Sequence, residues 1–385
     1  MKIPYGKQEI DNEDIENVIS VLKSRFITQG ETVPSFEKAV ADFCGSDYAL
    51  AANSATSSLH LACRGMNLSM GDIVWTSPIS FVASANCAIY CGAKVDFVDI
   101  NPFTYNLDPK KLKEKLIKAK EKKCLPKILI VVHLCGQPCE LKSIWELSHE
   151  FGFQIIEDAS HSLGAKYHSN SIGGCRYSKV TIFSFHPVKM ITTGEGGIAL
   201  TNDEAIYEKM KLLRSHGITR DPNLMSSKKD GPWYYQQLDL GYNYRMTDIQ
   251  AALGISQLKK LNTFIDKRTN IAKRYDNNLI SSKIQLPSLI ENVKSSWHIY
   301  VIRIKEINLK KKKQIFEYLI DKGIGVNLHY IPIHLHPFYK KMGFLKGQFP
   351  EAEKYYEEAI TLPIYPSLNH EDQDMIINTL LNFNL

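Results

Sequence analysis

Over the first 200 residues, short apolar runs alternate with longer segments in which apolar positions recur at a helical period. The runs at 72–78, 94–100, 127–134, 153–160 and 180–185 have the length and composition of buried strands. Strands that alternate with helical segments, such as 80–92 and 141–152, predict βαβ units in a mostly parallel sheet with helices on both faces. The predicted fold class is therefore α/β.

The pattern changes near residue 250. A long helical stretch at 246–279 is followed by the apolar segment 295–304 and by shorter mixed patterns, which together predict an α+β domain with an antiparallel sheet. We therefore expect a large domain over residues 1–250 and a small C-terminal domain over 251–385. The loop at 219–237 is long enough to suggest a mobile flap.

Composition and charge favour an ordinary globular enzyme. The chain has 385 residues, 44% hydrophobic and 23% charged, with a formal net charge of +6. The basic residues are scattered along helical segments, which argues against a nucleic-acid partner. No run approaches about 18 apolar residues, so we expect no membrane-spanning helix. The amino-terminal segment lacks a basic leader followed by an apolar run, and we expect a cytoplasmic protein.

The eight cysteines show no CxxC spacing. Without clustered ligands a metal site is not expected, and without an export signal disulfides are not expected. The cysteines are therefore predicted to be small buried side chains.

Polar side chains follow two of the predicted strands. Asp158 lies near the end of one strand with His161 just after it, and the next strand leads through Ser184 to Lys189. Lys189 has mostly apolar neighbours, so we expect it to be buried and either paired with an acid or used in chemistry. Ligands of open α/β sheets bind beyond the carboxyl ends of the strands, which makes these residues candidates for one site.

A third candidate element is the segment 50–66, where a short apolar stretch turns into a helix. The small polar residues Asn53, Ser54, Thr56 and Ser57 surround the start of that helix. Free backbone N–H groups and the helix dipole make such a start a natural seat for phosphate. By itself the pattern is a weak signal, because serine and threonine at a helix start are usually just a cap.

A phosphate seat, an acid at a strand end and a buried lysine are together what pyridoxal 5′-phosphate requires. The lysine attaches to the cofactor aldehyde and, once released, acts as a general base. The acid, Asp158, keeps the pyridine nitrogen protonated so that the ring can accept electrons. Phe81 follows a strand end and is placed to stack on the ring, while Ser184 is placed to reach the phosphate.

Several segments resemble, in the same order, those of the DegT-type sugar aminotransferases, which are fold-type-I pyridoxal-phosphate enzymes acting on keto-sugar nucleotides. The segments are NSATSSLHLA, SPISFVASAN, IIEDASHSLGA, FSFHPVKMITTGEGGIALTND, LRSHGI, LGYNYRMTDIQAALGISQL and HYIPIH. The resemblance covers nearly the whole chain. It implies a large, mostly parallel mixed sheet between helices, followed by a smaller α+β C-terminal domain.

The resemblance also implies roles for individual residues. Lys189 would attach to the cofactor and serve as the catalytic base. The residues expected to bind the cofactor are Ala55, Thr56, Phe81, Asp158, His161, Ser184 and Asn243. Asn243 would reach the cofactor phosphate of a neighbouring subunit, so the implied assembly is a homodimer with shared active sites.

Substrate contacts are implied in an amino-terminal stretch that covers the sugar nucleotide and in a C-terminal loop. The residues expected there are Tyr5, Arg25, Phe26, Ile27, Thr28, Asn327, Leu328, His329 and Tyr330.

One position distinguishes branches of this family. Many members have glutamine three residues after the acid, in contact with the ring hydroxyl, whereas this chain has His161. Together with SPISFVASAN and SFHPVKMITT, this histidine resembles the pseudaminic-acid branch. Members of that branch transfer an amino group, with L-glutamate the usual donor, to C-4 of a UDP-linked 2-acetamido-2,6-dideoxy-4-keto-hexose.

Three alternatives stay open. The segment 131–140 departs from the pseudaminic-acid branch, so another nucleotide-linked 4-keto sugar, of the perosamine, viosamine or bacillosamine type, is a competing substrate. Dehydratase relatives carry histidine in place of the lysine, and Lys189 argues against that activity. A non-catalytic regulatory relative is the third alternative, and the intact Lys189, Asp158 and Thr56 argue against it.

Overall fold

The computed structural model of the chain describes residues 2–383. Its helices are α1 Asn12–Leu22, α2 Thr32–Cys44, α3 Ala55–Gly65, α4 Ala83–Tyr90, α5 Pro109–Glu121, α6 Leu141–Phe151, α7 Glu204–Arg214, α8 Asp248–Asn278, α9 Leu309–Asp321, α10 Pro337–Lys340, α11 Pro350–Glu358 and α12 His370–Leu381. Its strands are β1 Tyr48–Ala52, β2 Ile73–Thr76, β3 Lys94–Phe97, β4 Ile128–Val132, β5 Gln154–Asp158, β6 Lys166–Tyr167, β7 Asn170–Ser171, β8 Val180–Ser184, β9 Gly197–Thr201, β10 Ile218–Thr219, β11 Gln236–Gln237, β12 Ile284–Gln285, β13 Val293–Lys294, β14 Tyr300–Ile304 and β15 Ala359–Leu362.

A seven-stranded sheet in the order β1-β9-β8-β5-β4-β2-β3 forms the centre of the molecule. Its neighbouring strands pair in parallel except at β9, which is antiparallel to both β1 and β8. The five strands predicted from apolar runs are β2, β3, β4, β5 and β8, and each lies inside its predicted range. The predicted α/β class with a mostly parallel, mixed sheet is confirmed.

Both faces of this sheet are covered by helices, which explains why its strands read as continuous apolar runs. Ile130, Ile156 and Ile182 project to one face and pack with apolar residues of α3, α4 and α7. Leu129 and Ile155 project to the opposite face, towards α5 and α6. The period of two along each strand therefore distributes one apolar run between two cores.

The C-terminal part contains a three-stranded antiparallel sheet in the order β12-β14-β15. Its core is formed with apolar residues of α9 and α12, such as Ile315 and Ile376. The helix α8 begins at Asp248 and runs unbroken past residue 250. The division of the chain at that residue stays a prediction.

The segment 219–237 folds back on itself, and its ends pair as the short antiparallel strands β10 and β11. Its mobility stays a prediction.

Among residues 2–383, no helix is both long and apolar enough to cross a membrane. Six of the eight cysteines are buried as predicted, whereas Cys91 and Cys124 are half-buried.

Candidate active site

A cavity of about 960 Å³ opens at the carboxyl ends of β4, β5 and β8. Twelve of the seventeen residues predicted for the site line it. These are Tyr5, Ala55, Thr56, Phe81, Asp158, His161, Ser184, Lys189, Asn327, Leu328, His329 and Tyr330. The fold therefore gathers residues from both ends of the sequence around one space.

Lys189 is held in this cavity by the loop that follows β8. Phe185, Met190 and Ile191 anchor the loop in the core, so the lysine between them is brought back to the strand end. The loop is also closed by a hydrogen bond from the Thr193 backbone N–H to the Phe185 carbonyl, 3.0 Å. Burial lowers the pKa of Lys189 to about 8, although the Asp158 carboxylate opposes this by favouring the charged form. About a tenth of the amine is therefore unprotonated at pH 7.

Asp158 ends β5 as a buried carboxylate with fixed orientation. Its Oδ2 accepts a hydrogen bond from the Ser84 hydroxyl at 2.5 Å, and its Oδ1 accepts from the Ser160 hydroxyl at 2.6 Å. Ser84 is itself hydrogen-bonded to Ser80 at 2.7 Å. The sequence interpretation identified Asp158 but missed these serines.

The start of α3 forms a concave wall of the same cavity. The Ser54 hydroxyl caps the helix by accepting from the Ser57 backbone N–H at 3.1 Å. This cap leaves the N–H groups of Ala55 and Thr56, in the first turn, without intrahelical acceptors. Gly197 of β9 lies so close that a Cβ there would come 2.3 Å from the Ala55 nitrogen. Its β-sheet partner is Ser184, which brings that residue to the same helix end.

His161 is buried and linked to the C-terminal loop. Its Nε2 and the Tyr330 hydroxyl are 3.1 Å apart, while its Nδ1 is buried without a hydrogen-bond partner among residues 2–383. Burial, with Lys189 and His329 adding to it, lowers the pKa of His161 well below its usual value. The ring is therefore neutral at physiological pH.

A second histidine, His329, lies on the substrate side of the cavity beside Tyr5, with ring centroids 5.5 Å apart. Its Nδ1 is 2.9 Å from the Thr361 hydroxyl. Burial and, secondly, the charge of Lys189 lower the pKa of His329 to about 3. His329 is therefore also neutral, and this wall presents aromatic and hydrogen-bonding groups without a permanent charge.

Five predicted residues lie outside the cavity of the single chain. They are Asn243, Arg25, Phe26, Ile27 and Thr28. The Asn243 backbone is bridged to Ser215, and its carbonyl accepts a 3.5 Å hydrogen bond from the Asn53 side chain. The 25–28 stretch is exposed, and the Ile27 carbonyl accepts from the Asp248 N–H at 3.0 Å. The roles of these five residues stay predictions.

The cavity also contains side chains that the sequence did not single out. His298 precedes β14, and its ring lies 4.4 Å from that of His161. Gln250 donates to the Glu195 carbonyl at 2.7 Å, joining α8 to the lysine loop. His298 sits in an apolar strand pattern and Gln250 in a helix-start pattern, so only tertiary contacts identify them.

These residues fit pyridoxal 5′-phosphate. The free N–H groups of α3 suit its phosphate, the oriented Asp158 carboxylate suits a protonated pyridine nitrogen, and Lys189 is an amine that lines the same cavity. The Nδ1 of His161, which has no hydrogen-bond partner among residues 2–383, belongs to a further polar side chain that lines this cavity. The placement of these side chains therefore agrees with the expected cofactor, pyridoxal 5′-phosphate.

Comparison with known proteins indicates the same class of enzyme as the site residues do. The profile of the DegT/DnrJ/EryC1/StrS aminotransferase family matches residues 8–381. The UDP-4-amino-4,6-dideoxy-N-acetyl-beta-L-altrosamine transaminase of Campylobacter jejuni is 38% identical over 99% of this chain and 97% of its own length.

Two solved structures are similar along nearly their whole length. Helicobacter pylori PseC, an aminotransferase involved in the biosynthesis of pseudoaminic acid, has 34% identity and a TM-score of 0.90, covering 99% of this chain and 98% of that one. Spr1654 of Streptococcus pneumoniae, in its PMP form, has 30% identity and a TM-score of 0.89, covering 98% of each chain.

Proposed function

Because the chain belongs to the DegT/DnrJ/EryC1/StrS aminotransferase family, we propose that it transfers the amino group of L-glutamate to C-4 of a UDP-linked 2-acetamido-2,6-dideoxy-4-keto-hexose. That the chain is a pyridoxal-phosphate-dependent sugar aminotransferase follows from the family. The proposal concerns the donor, the sugar and the position that is aminated.

The observation that carries the chemistry is the meeting of Lys189, Asp158 and the α3 start in one cavity. Pyridoxal phosphate, when bound, carries the amino group between the two substrates and withdraws electrons from the carbon that exchanges a proton. Ala55, Thr56 and Ser184 would hold its phosphate, and Phe81 would lie against its ring. Asp158, fixed by its two serine partners, would hold the pyridine nitrogen.

Lys189 is the group that moves protons. Its Nζ would take the proton from the α-carbon of the donor amino acid and, in the second half of the cycle, would deliver a proton to C-4 of the sugar. Both tasks need an amine that gains and loses a proton near neutral pH, and the pKa of about 8 places Lys189 there. One lysine that serves two substrates in turn implies ping-pong kinetics.

The choice of sugar rests on the wall formed by Tyr5, His329 and Tyr330. These aromatic and neutral groups suit the polar edges and apolar face of a sugar ring. The Tyr330 hydroxyl also lies within hydrogen-bond distance of His161. The relatives from Campylobacter and Helicobacter supply the substrate class. The combination supports a UDP-linked acceptor of the pseudaminic-acid type.

We propose that a second copy of the chain completes each site. Two of the predicted contact residues outside the cavity, Phe26 and Ile27, are apolar side chains that are 52% and 49% exposed. Trp233 and Leu240 are 72% and 69% exposed. Exposed aromatic and aliphatic side chains of this kind are suited to burial in a dimer. The cytoplasmic location stays a prediction.

The test uses the purified protein with bound pyridoxal phosphate. Adding L-glutamate should remove the visible absorbance of the cofactor, and adding the UDP-linked 4-keto sugar should restore it. A panel of UDP-, TDP- and GDP-linked 4-keto sugars then compares acceptors by kcat/KM. A better TDP- or GDP-linked acceptor would overturn the proposed sugar and leave the aminotransferase activity intact.

A further inference from the structure

His298 is a buried side chain of the cavity to which neither cofactor binding nor the proposed proton transfer gives a role. It precedes β14, lines the cavity and is only 4% exposed. Its Nδ1 is buried and has no hydrogen-bond partner among residues 2–383. Because an unpaired buried polar atom costs free energy, a histidine of this kind in a cavity wall points to a group supplied by a ligand.

The main chain on both sides of the ring holds His298 in place. Its N–H donates to the Cys135 carbonyl at 3.1 Å, and its own carbonyl accepts from Nη1 of Arg268 at 3.0 Å. The same Nη1 donates to the carbonyls of Trp297 and Ile364. The loop after β4 and the helix α8 therefore fix the backbone from which the His298 ring reaches the cavity.

Arg268 places a buried positive charge behind this wall. It is 1% exposed, and its Nη1 is bonded to main-chain carbonyls and not to a carboxylate. Burial lowers the pKa of Arg268 to about 10, with Glu9 opposing this effect, so the guanidinium is charged at neutral pH. A charge of this sign in a poorly solvated wall favours an anionic ligand beside His298.

The other side chains of the cavity indicate why an anion would need this histidine. Arginine is the usual binder of a carboxylate, because its planar fork donates two parallel hydrogen bonds. No arginine is among the described residues that line the cavity, whose basic side chains are Lys189, His161, His186, His298 and His329. Since Lys189 is needed for proton transfer, a carboxylate in this space depends on neutral donors such as imidazole N–H groups.

The position of His298 favours a carboxylate close to the reacting carbon. Its ring lies 4.4 Å from that of His161, and both rings line the same cavity as Lys189. In an α-amino acid the α-carboxylate is attached to the carbon that exchanges its proton with the lysine. The side-chain carboxylate of glutamate is two carbons farther along the chain, so a wall near Lys189 suits the α-carboxylate better.

We propose that His298 binds the α-carboxylate of the amino donor, with Arg268 as the positioning residue that fixes His298 and supplies the positive charge behind it. The inference rests on the proposed function, because it needs an α-amino acid as the donor. It does not depend on the identity of the sugar. His161 keeps its expected role towards the cofactor, so two adjacent histidines serve two different ligands.

The experiment follows the donor half of the reaction, as the loss of visible absorbance from the protein with bound pyridoxal phosphate. L-isoglutamine carries an amide in place of the α-carboxylate, and L-glutamine carries one in place of the side-chain carboxylate. In His298→Phe, kcat/KM for L-glutamate should fall about thirtyfold, as expected for the loss of a hydrogen bond to a charged group. L-glutamine should lose as much as L-glutamate, whereas L-isoglutamine should lose little.

Binding without turnover provides a second readout. α-Methyl-L-glutamate has no α-proton, so an absorbance titration with it reports the affinity of the site for the donor alone. His298→Phe should weaken this affinity about thirtyfold and leave the affinity for pyridoxal phosphate unchanged. His298→Gln keeps an N–H donor and should recover part of the loss, which a histidine that only fills space would not explain.

His329→Phe is the matched control, because it removes another buried histidine of the same cavity. It should leave the ratio of kcat/KM for L-glutamate to that for L-isoglutamine unchanged. The proposal would be overturned if His298→Phe caused no loss, equal losses with L-glutamate and L-isoglutamine, a loss that spares L-glutamine, or a loss of cofactor affinity alone.

Failure of the proposed function would look different. A wild-type protein that responds to another L-amino acid but not to L-glutamate would overturn the proposed donor. The same comparison, made between that amino acid and its α-amide, then decides whether His298 binds the α-carboxylate.

Discussion

The Ser84 hydroxyl, in the first turn of α4, donates a 2.5 Å hydrogen bond to Oδ2 of Asp158 at the end of β5. This bond joins two elements that are separated by 74 residues in the sequence. Since Ser160 donates to the other carboxylate oxygen, the plane of the Asp158 carboxylate is set from both sides. With Asp158 in the proposed role of pyridine-nitrogen partner, the orientation of the cofactor ring would depend on a helix that precedes Lys189 by about a hundred residues.

Replacing Ser84 by alanine should weaken cofactor binding. A hydrogen bond to a charged group contributes about 2 kcal/mol, which corresponds to roughly thirtyfold in affinity. Titration of the cofactor-free protein with pyridoxal phosphate, followed by absorbance, measures the change. Ser80→Ala is the control, because Ser80 contacts Ser84 and not the carboxylate. Equal losses in the two variants would contradict the role given to the Ser84 bond.

Gly197→Ala should damage the phosphate seat. The new Cβ would meet the Ala55 nitrogen at 2.3 Å, so the start of α3 must move away from β9. We expect at least about a tenfold loss of affinity for pyridoxal phosphate, and a parallel loss for inorganic phosphate as a probe of the seat alone. Gly45→Ala is a useful control, since Gly45 has a positive φ of 76° but open space around it. It should lower stability and leave both affinities unchanged.

The titration of Lys189 should respond to Asp158. Burial lowers the pKa of Lys189 to about 8, and the Asp158 carboxylate raises it against that effect. Asp158→Asn removes the negative charge, so the pKa of Lys189 should fall further. The measurement is the pH dependence of amine modification at Lys189 in the cofactor-free protein, located by peptide mapping. A midpoint that stays fixed or moves to higher pH would show that the carboxylate does not act on the lysine.

Stability should fall in mild acid because of four buried histidines. Burial lowers the pKa values of His161, His298, His329 and His334, so the folded protein keeps them neutral while the unfolded chain takes up protons below about pH 6.5. Each contributes a slope of up to about 1.4 kcal/mol per pH unit, and stability rises with pH through this range. Urea unfolding at several pH values between about 5 and 7 measures the slope, because this range brackets the ordinary pKa of histidine.

His298→Gln should reduce that slope by about one quarter, since one of the four proton uptakes is removed. His149→Gln serves as the control, because His149 is exposed on α6. The comparison uses the slope and not the absolute stability, so a general loss of packing in the variant does not affect it. An unchanged slope in His298→Gln would assign the acid sensitivity to other groups.

The sequence was sufficient for features that depend on local pattern. Lys189 and Asp158 could be singled out because Asp158 ends one recognisable strand and Lys189 follows another, and parallel strands bring their ends to one edge. Ser84 could not, because a serine in a helix pattern gives no sign of a carboxylate 74 residues away. The sequence gives no sign of the role of Gly197 either, because Gly197 comes close to Ala55 only when β9 is inserted antiparallel between β1 and β8. The roles of residues 25–28 and Asn243 stay predictions, because they concern contacts with a second chain, which no pattern within one chain can fix.

Shared active sites can be tested by mixing two inactive variants. If Asn243 acts in the partner's site, a heterodimer of Lys189→Ala and Asn243→Ala chains contains one site with both native residues. Random exchange of subunits in an equal mixture gives half heterodimers, each with one of two sites restored, so activity should recover to about one quarter of the wild-type value. Asn243→Ala and Lys189→Ala measured separately provide the baseline. No recovery, although native mass spectrometry shows heterodimers, would place Asn243 in the site of its own chain.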